Sequence, residues 1–110
     1  MELERLLFYF WNARESENRM RELKETVEMM NSDDYKERFK AEYYQTKIRY
    51  EKLKAFNNKI EAATMVCTNP LVKMPKHDCP SEILRKQQSI MGEYLHILEV
   101  RAEIEGIVLE

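Results

Sequence analysis

Glycine and proline are scarce in this chain, and each is confined. The two glycines are Gly92 and Gly106, and all three prolines fall between Pro70 and Pro80. Outside that window, two long tracts contain almost nothing that breaks a helix. Long apolar runs are missing too: no stretch approaches the roughly 18 residues of a membrane span. The apolar start at Leu3, Leu6, Leu7, Phe8 and Phe10 is interrupted by Glu2, Glu4 and Arg5, with no small-residue cleavage site after it, so it is not expected to act as a signal peptide. Neither charge sign is in excess, with 18 Lys and Arg against 20 Asp and Glu and a net charge of −2. Without a basic field, neither long nucleic acid nor a membrane is an expected partner. The expected compartment is the cytoplasm, where the two cysteines, Cys67 and Cys79, would stay reduced.

What is present is helical periodicity. Ile83, Ile90, Ile97 and Ile104 recur every seven residues near the C-terminal end. On a wheel turning about 100° per residue, Leu84, Met91, Leu95, Leu98 and Ala102 form one apolar stripe and the isoleucines a second, roughly 100° away. Gln87, Tyr94 and Arg101, also seven apart, lie between these stripes or at their border. Further back, Tyr35, Phe39, Tyr43, Thr46, Tyr50, Leu53, Ile60 and Ala63 mark an amphipathic helix from about Asp34 to Thr64, and Tyr44 with Ile48 widens its apolar face. The tract Glu2 to Met30 reads as a helix with a polar gap between Arg14 and Arg19. Asn31 to Asp34 supplies its stop and the next helix's N-cap. Met65 to Pro80 holds every proline and must be a connection, after which Ser81 and Glu82 open the last helix.

Two long helices joined by such a connection fold back as an antiparallel hairpin. The expected fold is therefore all-α: a long helical hairpin over residues 33–110, with an N-terminal helical segment over residues 1–32 serving as anchor and oligomerisation element. At 110 residues and 13.3 kDa the chain is one small domain, burying only about two thirds of its unfolded surface. The excess apolar face then calls for copies of the chain, and closed symmetric homo-oligomers are the common solution. The dense cluster Phe8 to Trp11 is expected to pack between subunits.

The residues Tyr35 to Leu53, then Cys79-Pro80, then Gln87-x-x-x-Met91-Gly92-x-Tyr94-Leu95-x-x-Leu98-Glu99-x-Arg101-Ala102-x-Ile104-Glu105 resemble, in the same order, the hairpin domain shared by phage anti-Thoeris and anti-CBASS nucleotide sponges. The resemblance spans residues 35–105 and leaves the first 30 outside. It implies a hexamer, a trimer of dimers, that sequesters cyclic nucleotide immune signals without cleaving them. The ligand classes it implies are glycocyclic ADP-ribose and cyclic di- or trinucleotides, held in intersubunit pockets. No catalytic residue, cofactor or metal is implied. The loop departs from the family pattern: where members carry a phenylalanine-containing stretch before Cys-Pro, this chain has Leu71-Val72-Lys73-Met74-Pro75-Lys76-His77-Asp78.

A cyclic nucleotide presents flat bases and two or three phosphate charges, so its pocket needs stacking planes and cationic donors. The candidate ligand-binding residues are Arg49, Tyr50, Met74, Lys76, His77, Gln87, Tyr94 and Arg101, with Lys73 as a further loop donor. Each has a plainer reading. Arg101 would pair with Glu105, Arg49 with Glu42 or Glu51, and both tyrosines would be rim aromatics. Cys67, His77 and Cys79 offer zinc-type donors but lack a fourth ligand, and a Cys–His77 pair lacks an orienting third group. No phosphate-binding glycine loop and no nucleophile with its base is present, so an enzyme is not expected. The rivals to sequestration are a protein-binding phage inhibitor of a host defence enzyme and a structural helical scaffold.

Overall fold

The computed structural model describes residues 22–66 and 68–109. The expectations for the aromatic cluster Phe8 to Trp11, for the start of the first helical tract and for Cys67 lie outside those residues. The described residues are helical with no strand: a 3-10 turn at Leu23–Thr26, then α1 (Val27–Met30), α2 (Tyr35–Met65) and α3 (Ser81–Glu105).

The described end of the first tract is a 3-10 turn followed by a single α turn. The Thr26 hydroxyl donates to the carbonyl of Leu23 at 2.6 Å, which draws the chain into the three-residue repeat before one α turn follows. Thr26 is fully buried, and its oxygen accepts from Gln45 Nε2 on α2 at 2.8 Å. That bond, with Met29 packed on the core, docks residues 23–30 along α2. Asp34 then caps α2 as expected, accepting from the amide of Lys36 at 3.0 Å. Ser32 accepts from the Asp34 amide at 3.0 Å and fixes the cap itself.

Two contacts at opposite ends set how α2 and α3 lie. Tyr35 at the start of α2 meets Glu105 at the end of α3. Asn57, late in α2, donates to the carbonyl of Leu84 near the start of α3 at 3.1 Å. The helices therefore run in opposite directions along one seam, and Phe39, Tyr43, Tyr44, Leu95, Leu98, Ala102 and Ile107 close over it as one core. Burying each large apolar side chain there contributes about 1.5–3 kcal/mol. Tyr35, expected on the buried stripe, keeps its ring about half exposed and reaches the seam only through its hydroxyl.

Ser81 does not cap α3. It is the first helical residue, Pro80 takes the cap position, and no side chain caps the turn. Proline fits there because it brings a preset φ and needs no N–H. At the other end Gly106 takes φ 70°, and the amide of Ile107 returns to the carbonyl of Ala102 at 2.9 Å. This is a Schellman ending, which places Ile107 in the core beside Ala102. The two expected stripes of α3 separate in the single chain. Leu95, Leu98 and Ala102 are buried, whereas Ile83, Ile90, Ile97 and Ile104 are 54 to 78% exposed. No helix among the described residues is long and apolar enough to cross a membrane.

Candidate functional site

Arg101 is the best-positioned cation on the seam. Its guanidinium carbon lies 4.9 Å from the centre of the Phe39 ring, one face against the aromatic plane. Nε donates to Glu105 Oε2 at 3.0 Å, and Nη2 donates to the Tyr35 hydroxyl. That hydroxyl in turn donates to the other Glu105 oxygen at 3.0 Å. The Nε–Nη2 edge is thereby fully engaged, while Nη1 has no partner among the described residues. The bond to Glu105 is the main reason the guanidinium holds its proton even more firmly than usual. A planar fork with one edge fixed and the other free suits an end-on anion contact.

Tyr94 is half open to solvent, and its hydroxyl donates to the Glu42 carboxylate on α2. That hydrogen bond, ahead of partial burial, raises the phenol above its ordinary range, against the opposing pull of Arg101. Tyr94 is thus held as a neutral donor. Tyr43 is raised to about 12, chiefly by burial and secondarily by Glu99 and Tyr44.

Midway along the seam, Tyr50 lies against the bare backbone of Gly92. A Cβ at Gly92 would stand 3.4 Å from Tyr50 Cε2. An open groove of about 620 Å³ runs over this contact, walled by Gln88, Glu93, His96 and Ile97. Arg49 is exposed next to it and makes no hydrogen bond or ion pair among the described residues. Of the two partners expected for Arg49, Glu42 or Glu51, Glu42 accepts from the Tyr94 hydroxyl.

The loop candidates sit at the other end. His77 packs edge-on against Phe56 with ring centres 6.2 Å apart. Met74 and Lys76 are exposed, and Gln87 is exposed on the second turn of α3. Asn69 turns the connection, accepting from the Leu71 amide at 2.9 Å. Cys79 is a free, half-buried thiol. Among the described residues no group of three His, Cys, Asp or Glu side chains gathers to hold a metal ion.

The eight candidates therefore occupy three stations in one protomer: Arg101 with Tyr94, Arg49 with Tyr50, and the loop set with Gln87. Arg101 is level with Phe39, and from Phe39 to Arg49 is ten residues, about 15 Å of helix. The two arginines do not converge within a chain. Sequence reasoning found Glu105 as the neighbour of Arg101 but missed Tyr35 and Phe39, whose 3–4 residue spacing toward the start of α2 was a usable sign. It also missed Asn57, a polar residue interrupting the stripe between Leu53 and Ile60.

The sequence model of the Sequestin family matches residues 33–104. No curated protein and no solved structure matches the chain.

Proposed function

The chain belongs to the Sequestin family, and from that membership we propose that it is a phage anti-defence protein that binds cyclic nucleotide immune signals and sequesters them without cleavage. The membership is compatible with a sequestering role and with small signalling molecules as ligands. The finer reading is that glycocyclic ADP-ribose or a cyclic di- or trinucleotide is held between hairpins of a symmetric homo-oligomer, a hexamer built as a trimer of dimers. Arg101 carries that reading. Phe39, Tyr35 and Glu105 fix one edge of its guanidinium and leave Nη1 for a phosphate oxygen. Orientation in advance of binding reduces the entropy lost when the ligand arrives.

The three stations are too far apart to enclose one small ligand from a single chain. Bringing Arg101 of one hairpin to the Tyr50 groove or the loop of another closes a pocket, and the open isoleucine row supplies the apolar contact that would hold the chains together. In this reading residues 1–32 add an anchor, which the hydrogen bond from Gln45 on α2 to Thr26 supports.

Calorimetric titration of glycocyclic ADP-ribose, a cyclic dinucleotide and a cyclic trinucleotide tests the proposal, with a mass measurement of the assembly alongside. Retention of one class, and its release unaltered on heat denaturation, is the expected result. A chain that retains none, yet pulls down a defence enzyme, is a protein inhibitor. Recovery of a chemically altered nucleotide makes it an enzyme.

A further inference from the structure

The isoleucine row is half of a heptad pattern. Between Ile83, Ile90, Ile97 and Ile104 stand Lys86, Glu93 and Val100, so the whole line advances by alternating steps of three and four residues. At about 100° per residue such a line stays on one side of a helix. On α3 that side is away from Leu95, Leu98 and Ala102, which pack in the core. The apolar members of the line are 45 to 78% exposed. Lys86 and Glu93 are exposed too, and neither makes a hydrogen bond or ion pair among the described residues.

The two charges select the occupant and its direction. A second copy of α3 lying parallel sets Lys86 against the partner's Lys86 and Glu93 against the partner's Glu93, two like-charge contacts inside the seam. Turned end for end, each isoleucine instead meets a position of the intervening set. Ile83 then faces the partner's Val100, Ile90 faces the partner's Glu93 and Ile97 faces the partner's Lys86, about a two-fold axis between Met91 and Gly92. Lys86 and the partner's Glu93 fall on the same side of this seam, about 6 Å apart along it, a span their long side chains cover. The symmetry makes the contact twice. A patch that complements its own copy after a half turn is what an isologous contact requires. Sliding the copies by one heptad either separates these charges by about 16 Å or shortens the overlap, so the charges fix the register as well as the direction.

We propose that α3 pairs antiparallel with α3 of a second copy in this register, and that the partner completes the Tyr94 station. In one chain Tyr94 and Gln87 are seven residues apart, about 10 Å of helix. In the pair, Tyr94 and the partner's Gln87 are offset by only about 3 Å along the seam and share one flank of it. Arg101 comes level with the first turn of the partner's α3, where the connection ends. The inference rests on the sequestration reading for the premise that the isoleucine row meets another copy, and adds the direction, the register and the shared Tyr94–Gln87 site.

Cysteine cross-linking reads the direction. Because Cys79 is a free thiol, the full chain carries Cys67→Ser and Cys79→Ser, and Ile83→Cys and Val100→Cys are made separately on that background. After mild oxidation, an equal mixture of the two is expected to give the mixed disulfide dimer, and neither variant alone a dimer. Parallel pairing reverses this result. Lys86→Glu and Glu93→Lys should each raise the dissociation constant of the pair about tenfold, and the double swap Lys86→Glu/Glu93→Lys should return it to within about threefold of wild type. All four positions are exposed, so helix content by circular dichroism should be unchanged. A monomeric mass, cross-linking of each variant with itself, an assembly without the mixed disulfide, or a swap that does not restore the pair overturns the proposal. Cyclic nucleotide retention is measured separately on the same background. A chain that retains the nucleotide without the mixed disulfide ends this pairing and leaves sequestration standing. The mixed disulfide in a chain that retains none upholds the pairing and ends the sequestration reading.

Discussion

Charge on the seam is fixed by neighbours rather than by the residue alone. Arg101 leans on Phe39 and gives one edge to Glu105 and Tyr35, so its rotamer freedom is already spent before a ligand comes. Arg101→Lys keeps the charge but loses the planar fork, and is expected to weaken nucleotide binding nearly as much as Arg101→Ala, about tenfold or more by titration. Tyr43 gives a pH signature. Its phenol ionises near 12 in the folded chain and near 10 in the unfolded one. The raised value means its stabilising contribution is complete below pH 10 and is lost as pH rises from 10 toward 12. Denaturant unfolding across that range should fall less steeply for Tyr43→Phe than for the wild type. At Gly92 the nearest atom to an added methyl is Tyr50 Cε2 at 3.4 Å, an ordinary contact. Gly92→Ala is thus expected to raise stability by about 0.5–1 kcal/mol through helix propensity, read as a higher melting temperature.

At the scale of the helix, α3 divides its labour between faces. Leu98, 1% exposed, sits in the middle of the core face, and Leu98→Ala should cost about 3 kcal/mol in denaturant unfolding. This division was legible from the sequence because the isoleucines and the leucine stripe keep separate phases over three heptads. So were the extent of α2 and its Asp34 cap, since a capping side chain acts within its own turn. The Schellman ending was not foreseen: a lone Gly106 marks a helix stop, but only the return of Ile107 to Ala102 makes that stop part of the core. Ser81 opens α3 as expected, with Pro80 at the cap position before it. The site was legible only as residue types. Which side chains meet depends on the register of α2 against α3, and the amide of Asn57 and the hydroxyl of Tyr35 set part of that register through contacts far apart in sequence.

For the whole molecule, the proposed assembly would cover the open isoleucine row and close the candidate stations together. A 110-residue chain has little core to spare, and in the proposed assembly the four exposed isoleucines in heptad phase on α3 form the seam to another copy. Placing carboxylates in that seam tests assembly and binding together. In Ile90→Glu combined with Ile97→Glu, both changes fall on exposed positions, so helix content by circular dichroism should stay close to wild type. The mass in solution should drop to that of the monomer, since burying each unpaired carboxylate costs several kcal/mol. If pockets form between chains, the same variant loses nucleotide retention although Arg101, Tyr94 and Tyr50 are intact. Arg101→Ala is the counterpart: it should keep the mass of the assembly and lose the ligand. A double variant that is monomeric and still retains the nucleotide at wild-type affinity would place the pocket within one chain, and the seam would then serve assembly alone.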